Sequence, residues 1–305
     1  MRRGFSLVEM LIAISIAGVA TALMTVTVLH QQRFYARAGE TLSTKTELRD
    51  GADILVSDLR SASTAMFGLP VMTDTAVEML SVIATSVACE TPAGSTIQLP
   101  PVRLAAGHTL TSLVAQPDTG DVALIYGNAL GADSAEWEIN RVASFAPRSV
   151  TATCSPSTGF TTTDDLVSGS SGYLVTLAFT PSSRIGKGAP VHFLRRARYS
   201  IYKSSDGDWY LGYRRCSIAS PGTCSAIQPV SGPYRPVGST TPHGLSFRYF
   251  DSYGAQLYDA SQSTRVARVE IVLRGAPRSL TSSFGDSRQI RNDSVIISVA
   301  LRNSR

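Results

Sequence analysis

The chain has 305 residues, a hydrophobic fraction of 43% and a formal net charge of +5. This length allows one large domain or two modest ones, and the composition excludes a chain too polar to bury a core. The arginines are scattered through the C-terminal two thirds without a block of five or six like charges, which favours a mildly basic surface over a dedicated nucleic-acid face.

The first thirty residues, MRRGFSLVEMLIAISIAGVATALMTVTVLH, combine a basic start with a long apolar stretch. Arg2 and Arg3 precede residues 5–29, a stretch long enough to cross the core of a bilayer. The basic flank predicts that the N-terminus stays on the cytoplasmic side. Glu9 is the exception within the stretch, since a carboxylate there costs on the order of 2.5 to 3.5 kcal/mol on insertion scales. Such a residue usually has a partner.

Two general interpretations of this segment are a secretory signal peptide and a plain membrane anchor. The signal-peptide interpretation is supported by the A-x-A sequence at residues 20–22, which follows an apolar region at residues 10–19 and would leave Leu23 at the mature N-terminus. Two features count against it, because the sequence after the cleavage site stays apolar and because Glu9 would begin the apolar region with a charge. A plain anchor meets the same difficulty at Glu9.

The decapeptide R-R-G-F-S-L-V-E-M-L resembles the class III signal of type IV pilins and of the pseudopilins of type II secretion. The resemblance implies cleavage between Gly4 and Phe5 by a membrane prepilin peptidase, which also N-methylates the new Phe5 amine. It further implies that Glu9 pairs with the N-terminal ammonium of a neighbouring subunit as that subunit joins a filament. An ion pair in low dielectric is strong and its separated charges are costly, so such pairing would select the register between subunits.

Within this class, the stretch ARYSIYK...DWYLGYRRC and the C-terminal VALRN resemble PilW-like minor pilins first and the J-type pseudopilin of type II secretion next. The first resemblance implies a minor pilin that assembles with other minor pilins and the major pilin, and that primes or caps a type IV pilus with roles in motility, adhesion or DNA uptake. The pseudopilin alternative implies a role in protein secretion. Both imply a single-pass protein of the bacterial inner membrane with its head in the periplasm, which then enters a cell-surface pilus or a periplasmic pseudopilus.

One long helix is predicted from Phe5 to about residue 64, because no proline occurs before Pro70 and apolar residues recur at steps of three and four. It would be roughly 90 Å long. Residues 5–29 would form the membrane or filament-core part, and residues 30–66 an amphipathic part that continues into the head. The predicted buried face comprises Leu48, Ala52, Leu55, Leu59, Ala62 and Met66.

Gly39 and Gly51 interrupt this stripe at about 1 kcal/mol each relative to alanine, which favours packing on the chain's own sheet over a coiled coil. Two interpretations of these glycines stay open. They soften the helix for extraction from the membrane, or they are tolerated surface positions.

Residues 67–305 are predicted to form a β-rich head, which makes the fold class α+β: a long N-terminal helix packed on a predominantly antiparallel sheet. Short segments of alternating polarity, separated by turn residues, support this prediction. The clearest are residues 173–179, 267–273 and 295–301. The stretch HFLRRARYSIYKSSDGDWYLGYRRC is typical of a hairpin with Asp206 and Gly207 at its turn. Residues 67–131 are less clearly patterned and leave room for an inserted subdomain.

The four cysteines suit an oxidising compartment, because none shows C-x-x-C spacing or a neighbouring histidine. Cys216 and Cys224 flank a segment with a Pro-Gly turn signal at residues 221–222, which predicts a disulfide between them. Elimination would then pair Cys89 with Cys154. Four cysteines allow three connectivities, however, and the sequence alone does not choose among them.

No catalytic, cofactor-binding or metal-binding motif stands out in the sequence, so the chain is predicted not to be an enzyme. The four histidines are scattered, the segment 169–172 is not G-x-S-x-G, and neither a Walker A loop nor a dinucleotide-binding loop occurs. Asp206, Asp208, Asp251 and Asp259 raise calcium binding as an alternative, but their spacing matches no known calcium loop and turn chemistry explains them.

Arginines and tyrosines cluster on the predicted hairpin, and mixed faces of this kind hold nucleic-acid backbone and bases. The cluster comprises Arg195, Arg196, Arg198, Tyr199, Tyr202, Tyr213, Arg214 and Arg215. Strand alternation places these residues on both faces of the sheet, which favours a solvated basic face with core tyrosines over DNA binding.

Overall fold

The computed structural model of the chain describes residues 7–105, 107–127, 136–149, 154, 161–167, 169–220, 222–238, 243–276 and 293–301. Within these ranges a long N-terminal helix leads into a predominantly antiparallel β-sheet domain, so the predicted α+β fold is confirmed. Gly4 and Phe5, predicted to flank the cleavage site, and Pro221, predicted to begin a turn, lie outside the described residues.

The helices are α1 (Leu7–Ser61) and α2 (Thr64–Phe67), with short 3₁₀ helices at Thr163–Asp165 and Ala260–Arg265. The strands are β1 (Val71–Met72), β2 (Ala76–Val87), β3 (Thr96–Leu99), β4 (Ser112–Leu113), β5 (Val122–Gly127), β6 (Glu136–Ser149), β7 (Ser171–Leu177), β8 (Pro190–Lys203), β9 (Trp209–Arg215), β10 (Gln228–Tyr234), β11 (Leu245–Phe250), β12 (Gln256–Leu257), β13 (Arg268–Arg274) and β14 (Ser294–Ala300).

Helix α1 has an exposed first half and a second half that packs on the head. Side chains 7–36 are all exposed, and in the described part of the chain α1 alone is long and apolar enough to cross a membrane. In the second half, Leu55 and Leu59 are fully buried, as the helical stripe predicted. The stripe therefore marks the face by which α1 packs on the head.

The helix ends earlier than predicted, at Ser61. Ala62 forms a β-bridge with Ser81, and the Ser63 N–H donates to the Leu80 carbonyl at 3.0 Å, so the backbone leaves the helix to pair with β2. This break also removes Met66 from the helical phase of the stripe. Met66 is 40% exposed, and its predicted place on the buried face is wrong.

Gly51 is a close-packing position and not a tolerated surface glycine. It is buried where α1 crosses β10, and a Cβ placed there would collide with the side chains of Ser231 and Tyr234. Tyr234 is itself buried, with its hydroxyl 2.6 Å from the Ser231 hydroxyl. Burial raises the pKa of Tyr234 to about 12, so it stays a neutral donor against the helix. Around Gly39 and Gly18 a Cβ would meet nothing within 4 Å.

Strand β8 organises the larger sheet because two strands share one of its edges. Its other edge pairs with β2 along nearly the whole length of both strands. On the shared edge, the first part of β8 pairs with β5 and the last part with β9. The sheet therefore forks, with β5, β6, β7 and β3 on one branch and β9 and β10 on the other.

Each branch covers its own hydrophobic core. The helix core lies between α1, one end of β2 and β8, β9, and the smaller sheet of order β12-β11-β13-β14. The second core lies on the other branch, between β3, β5, β6, β7 and the first part of β8. The sequence left room for an inserted subdomain within residues 67–131. The second core takes side chains from β2, β3 and β5, but it extends along the chain to Phe193 and is not confined to that segment.

The alternating segments form strands with one exception. Val269, Ile271, Leu273, Val299 and Leu301 point into the helix core as their periodicity predicted. In the segment 173–179, however, β7 ends at Leu177, and Phe179 is 66% exposed.

Candidate functional site: the assembly helix and its attachment to the head

Glu9 lies in the first turn of the described part of α1. Together with Met10, Ala13, Ile14 and Ala17 it lines a shallow open recess on one side of the helix. Glu9 is the one acidic residue in this recess, and the other four side chains are apolar. When α1 lies in a bilayer or among other helices, a carboxylate in these surroundings is stabilised only by a cationic or hydrogen-bonding partner.

The hairpin formed by β8 and β9 divides the arginine and tyrosine cluster between two faces, as strand alternation predicted. Tyr199 pairs across the strands with Tyr213 on the helix side, whereas Arg198 pairs with Arg214 on the outer side. At the turn, Gly207 has a φ of +92°, a backbone conformation that favours glycine. The cross-strand partner of Tyr202 is Tyr210, with ring centroids 6.2 Å apart.

On the helix side, a buried ionic network fills the fork of the larger sheet. Asp121, immediately before β5, has a side chain only 3% exposed and accepts hydrogen bonds from Arg195 and Arg215. The closest of these joins Arg195 Nη2 to Asp121 Oδ2 at 2.7 Å. The Asp118 N–H donates to the same carboxylate at 2.9 Å. Every acceptor direction of Asp121 is thereby used, which is what a buried carboxylate requires.

Arg195 lies on β8 at the boundary between the two hydrophobic cores. Its neighbours on the same face of β8 are Phe193, which belongs to the second core, and Ala197, which belongs to the helix core. Burial alone would lower the pKa of Arg195, but the hydrogen bonds and charge of Asp121 outweigh burial and raise it. The network therefore separates two apolar cores on one continuous strand and keeps both branches in register.

The outer face carries a second buried acid. Glu78 on β2 is 2% exposed and forms an ion pair with Arg196, while Arg198 Nε lies 4.0 Å from its second oxygen. Arg196 also donates to the Ser217 carbonyl at 3.2 Å, within the loop that the Cys216–Cys224 disulfide closes. Arg195, Arg196 and Arg215 are thus engaged within the head and are not arranged as a continuous basic stripe.

A polar contact attaches α1 to the sheet within the helix core. The Tyr199 hydroxyl donates to Asp58 Oδ2 at 2.6 Å, and the Tyr199 ring packs against Tyr213 with centroids 5.4 Å apart. Burial raises the pKa of Asp58 above its usual 3.8, and the hydrogen bond from Tyr199 offsets this only in part. Burial and the nearby Asp58 charge also raise the pKa of Tyr199, so the phenol remains the donor.

The burial of Asp58 at this contact gives the attachment of the helix a pH dependence that an Asp58→Asn variant should remove. Because the pKa of Asp58 is higher in the folded protein than in the unfolded chain, its contribution is most favourable below about pH 3.8 and is lost as pH rises through the folded-state pKa. We expect the unfolding free energy of Asp58→Asn, relative to the wild type, to increase with pH above that value. Urea unfolding of the full chain in detergent, followed by tryptophan fluorescence at several pH values, measures this difference.

Asp53→Asn is the matched control, since Asp53 lies exposed on the same helix. The difference in unfolding free energy between Asp53→Asn and the wild type should not change with pH in the way expected for Asp58→Asn. A difference for Asp58→Asn that stays constant across the pH series would contradict the prediction.

Two disulfides join Cys89 to Cys154 and Cys216 to Cys224, and no cysteine is free. Glu78 lies within 4.8 Å of the sulfurs of Cys216 and Cys224. Both sulfurs are in a disulfide, so this group of three does not provide thiolate ligands for a metal.

The acidic loops are held by turn chemistry. Asp251 accepts hydrogen bonds from the backbone N–H groups of Tyr253 and Ala255, and it forms an ion pair with Arg265 at 3.2 Å. Asp259 accepts from the Ser261 N–H and caps a 3₁₀ helix. At the β8–β9 turn, Asp206 accepts from the Asp208 N–H and the Tyr210 hydroxyl. Asp206, Asp251 and Asp259 therefore each have a structural role in their own loop.

Residues 1–25 match the family described as "Prokaryotic N-terminal methylation motif". The match covers the basic leader, the position of Glu9 and the first part of α1, and it supports a type IV pilin-like protein with a class III signal, of the pilin or pseudopilin class. The motif implies processing by a prepilin peptidase, membrane anchoring through the apolar helix and assembly with other pilins. Neither the curated proteins nor the solved structures gave a significant match to the chain.

Proposed function

We propose that this chain with a prepilin-type N-terminus is a minor pilin, which is cleaved between Gly4 and Phe5, methylated at Phe5, and assembled with other minor pilins and the major pilin to prime or cap a type IV pilus. The observation that carries the proposal is the methylation motif at residues 1–25 at the start of one continuous helix that ends inside the head. A single helix of this kind links the membrane or filament core directly to the globular domain.

The two halves of α1 support different parts of this function. The exposed apolar residues 7–29 of the first half offer a surface that lipid covers first and neighbouring helices cover later. The buried half fixes the head to the rod through Leu48, Leu55 and Leu59. Glu9, in the apolar recess of the first half, is proposed to receive the Phe5 ammonium of an adjacent subunit.

The location proposed for the head is the periplasm. Arg2 and Arg3 favour a cytoplasmic N-terminus, which directs the C-terminal head across the membrane. The two disulfides suit an oxidising compartment of this kind. In this proposal the chain is the substrate of the peptidase and has no catalytic role of its own.

Mass spectrometry of the mature N-terminal peptide tests the processing step. We expect N-methylated Phe5 in cells that contain the peptidase, and the uncleaved chain in a peptidase deletion strain. A mature N-terminus at Leu23 would indicate a conventional signal peptide and refute the proposal. An N-terminus at Met1 or Arg2 in cells with active peptidase would indicate a plain anchor and refute it equally.

The filament itself is identified by a deletion strain, because the same motif serves type II secretion pseudopilins. Loss of surface pili, twitching or DNA uptake on deletion, with secretion intact, is the expected result for a minor pilin. Loss of protein secretion with pili intact would replace the minor-pilin proposal by a J-type pseudopilin.

A further inference from the structure

The outer face of the larger sheet carries three charged residues in one row across adjacent strands. Glu78 on β2 lies opposite Arg198 on β8, and Arg198 lies opposite Arg214 on β9. Directly opposed residues point to the same face with their Cβ atoms roughly 4.5 to 5.5 Å apart. Arg198 and Arg214 are therefore like-charged neighbours, an arrangement that is unfavourable unless an anion lies between or above them.

The positive charge of this row is not balanced within the described part of the head. Arg196 and Arg198 both direct their ion pairs to the single carboxylate of Glu78. Arg214 Nε is buried, and it has no hydrogen-bond partner among the described residues. The outer face thus carries three guanidinium groups and one carboxylate, which pairs with two of them, while the third keeps a buried donor unsatisfied at a cost in free energy.

On the helix side of the same hairpin, the arginines are balanced by carboxylates. There Arg195 and Arg215 meet two carboxylates, Asp118 and Asp121, with distances of 2.7 to 3.1 Å. The hydrogen bond from Arg215 also lowers the pKa of Asp118, which keeps that acid ionised. The charge excess is therefore local to the outer face and is not a general property of the hairpin.

We propose that Arg198 and Arg214 form a docking site for the carboxylate side chains of an acidic segment in a partner protein. A guanidinium fork binds a carboxylate with two parallel hydrogen bonds, and a carboxylate above this pair would extend the alternation of charge that Glu78 begins. The site is accessible, because the Arg198 side chain is 32% exposed and Arg214 is half-buried.

An acidic protein segment fits this surface better than a nucleic acid. A nucleic-acid backbone requires a stripe of cations that follows successive phosphates. Arg195 and Arg215, which would extend the row into a stripe, are turned to the helix side and paired there. What remains is a compact pair of guanidinium groups, which matches one or two carboxylates. The inference stands apart from the proposed function, since it concerns the surface of the head and not α1.

Binding of a fluorescent hexaglutamate peptide to the full chain in detergent tests the site. We expect the double variant Arg198→Gln/Arg214→Gln to bind the peptide at least about tenfold more weakly than the wild type, the scale of losing charge-assisted hydrogen bonds. Arg214→Lys keeps the charge but not the fork, so its affinity should fall between the two. Arg184→Gln is the control, because Arg184 is half exposed and pairs only at 3.9 Å with the exposed Glu136; its affinity should stay within about twofold of the wild type.

Thermal unfolding of these variants, and of the single variant Arg214→Gln, separates binding from folding. Arg214→Gln relieves the like-charge pair and the orphaned donor, so its unfolding midpoint should equal or exceed that of the wild type. Equal peptide affinity in the wild type and the double variant, or no binding to the wild type, would overturn the proposal. Tighter binding of a single-stranded oligonucleotide than of hexaglutamate, lost in the double variant, would assign the pair to a phosphate backbone and overturn it as well.

Discussion

Replacing Asp121 by asparagine is expected to lower the unfolding free energy of the head by about 3 to 5 kcal/mol, the range measured when one partner of a buried ion pair is removed. The amide keeps the shape of the carboxylate but leaves Arg195, whose side chain is only 15% exposed, with an uncompensated charge, and it leaves Arg215 with Asp118 alone. The loss should also weaken the fork of the sheet, because this network lies between the helix core and the second core. Urea unfolding of the full chain in detergent, followed by tryptophan fluorescence, gives the difference.

The matched control is Glu136→Gln, which removes one charge from an ion pair on the surface of the same branch. The Glu136 side chain is 77% exposed and 3.9 Å from Arg184, so its loss should change stability by less than about 1 kcal/mol. If Asp121→Asn lowers the unfolding free energy by no more than Glu136→Gln does, the network does not stabilise the head. A double variant that also replaces Arg195 by methionine should recover part of the loss, because the stranded charge is removed with its partner.

Replacing Glu9 by alanine is expected to leave cleavage and N-methylation intact but to reduce incorporation into filaments at least about tenfold, which corresponds to roughly 1.4 kcal/mol of lost pairing between subunits. In the proposed function the peptidase recognises and cleaves the leader between Gly4 and Phe5, several residues before Glu9 in the sequence. Assembly, in contrast, is proposed to depend on the carboxylate receiving an ammonium in low dielectric, where an unmatched charge is costly. Immunoblots of sheared filaments and of whole cells give the incorporated fraction.

Glu9→Gln removes the charge of Glu9 but keeps its shape, and we expect its incorporation into filaments to be reduced as much as that of Glu9→Ala. Asp53→Asn removes one negative charge from an exposed position of the same helix and should assemble normally. Normal filament content in Glu9→Ala, with N-methyl-Phe5 at the N-terminus, would exclude register selection by this carboxylate. An unprocessed Glu9→Ala chain would instead show that Glu9 acts in recognition by the peptidase.

The rod and the strands of the head were predictable from local periodicity. The stripe through Leu48, Leu55 and Leu59 marked the buried face because helix geometry repeats every three or four residues wherever one side is covered. The β8–β9 hairpin was predictable because Asp206 and Gly207 are typical turn residues between two alternating segments. The end of α1 was not predictable from local periodicity. It is set by the pairing of Ala62 with Ser81, which lies on a strand later in the sequence.

The roles of single residues at long-range contacts were not predictable either. Gly51 is an ordinary glycine in the sequence, and its role depends on Tyr234, which comes from a strand far along the chain. The same holds for Asp121, whose partners Arg195 and Arg215 come together only when β5 and β9 pair with the same edge of β8. A pattern in one segment carries no information about which distant charge will face it.

The sequence by itself determined the class of the N-terminus, the membrane-capable helix and the α+β organisation, because each depends on neighbouring residues at fixed spacing. The tertiary structure alone decided that the sheet forks at β8, that the arginines of one hairpin are balanced on the helix side, and that Arg198 and Arg214 keep an excess of charge on the outer side. The physical reason is that burial and charge pairing are properties of surfaces brought together from separate segments, and only the folded chain fixes which surfaces meet.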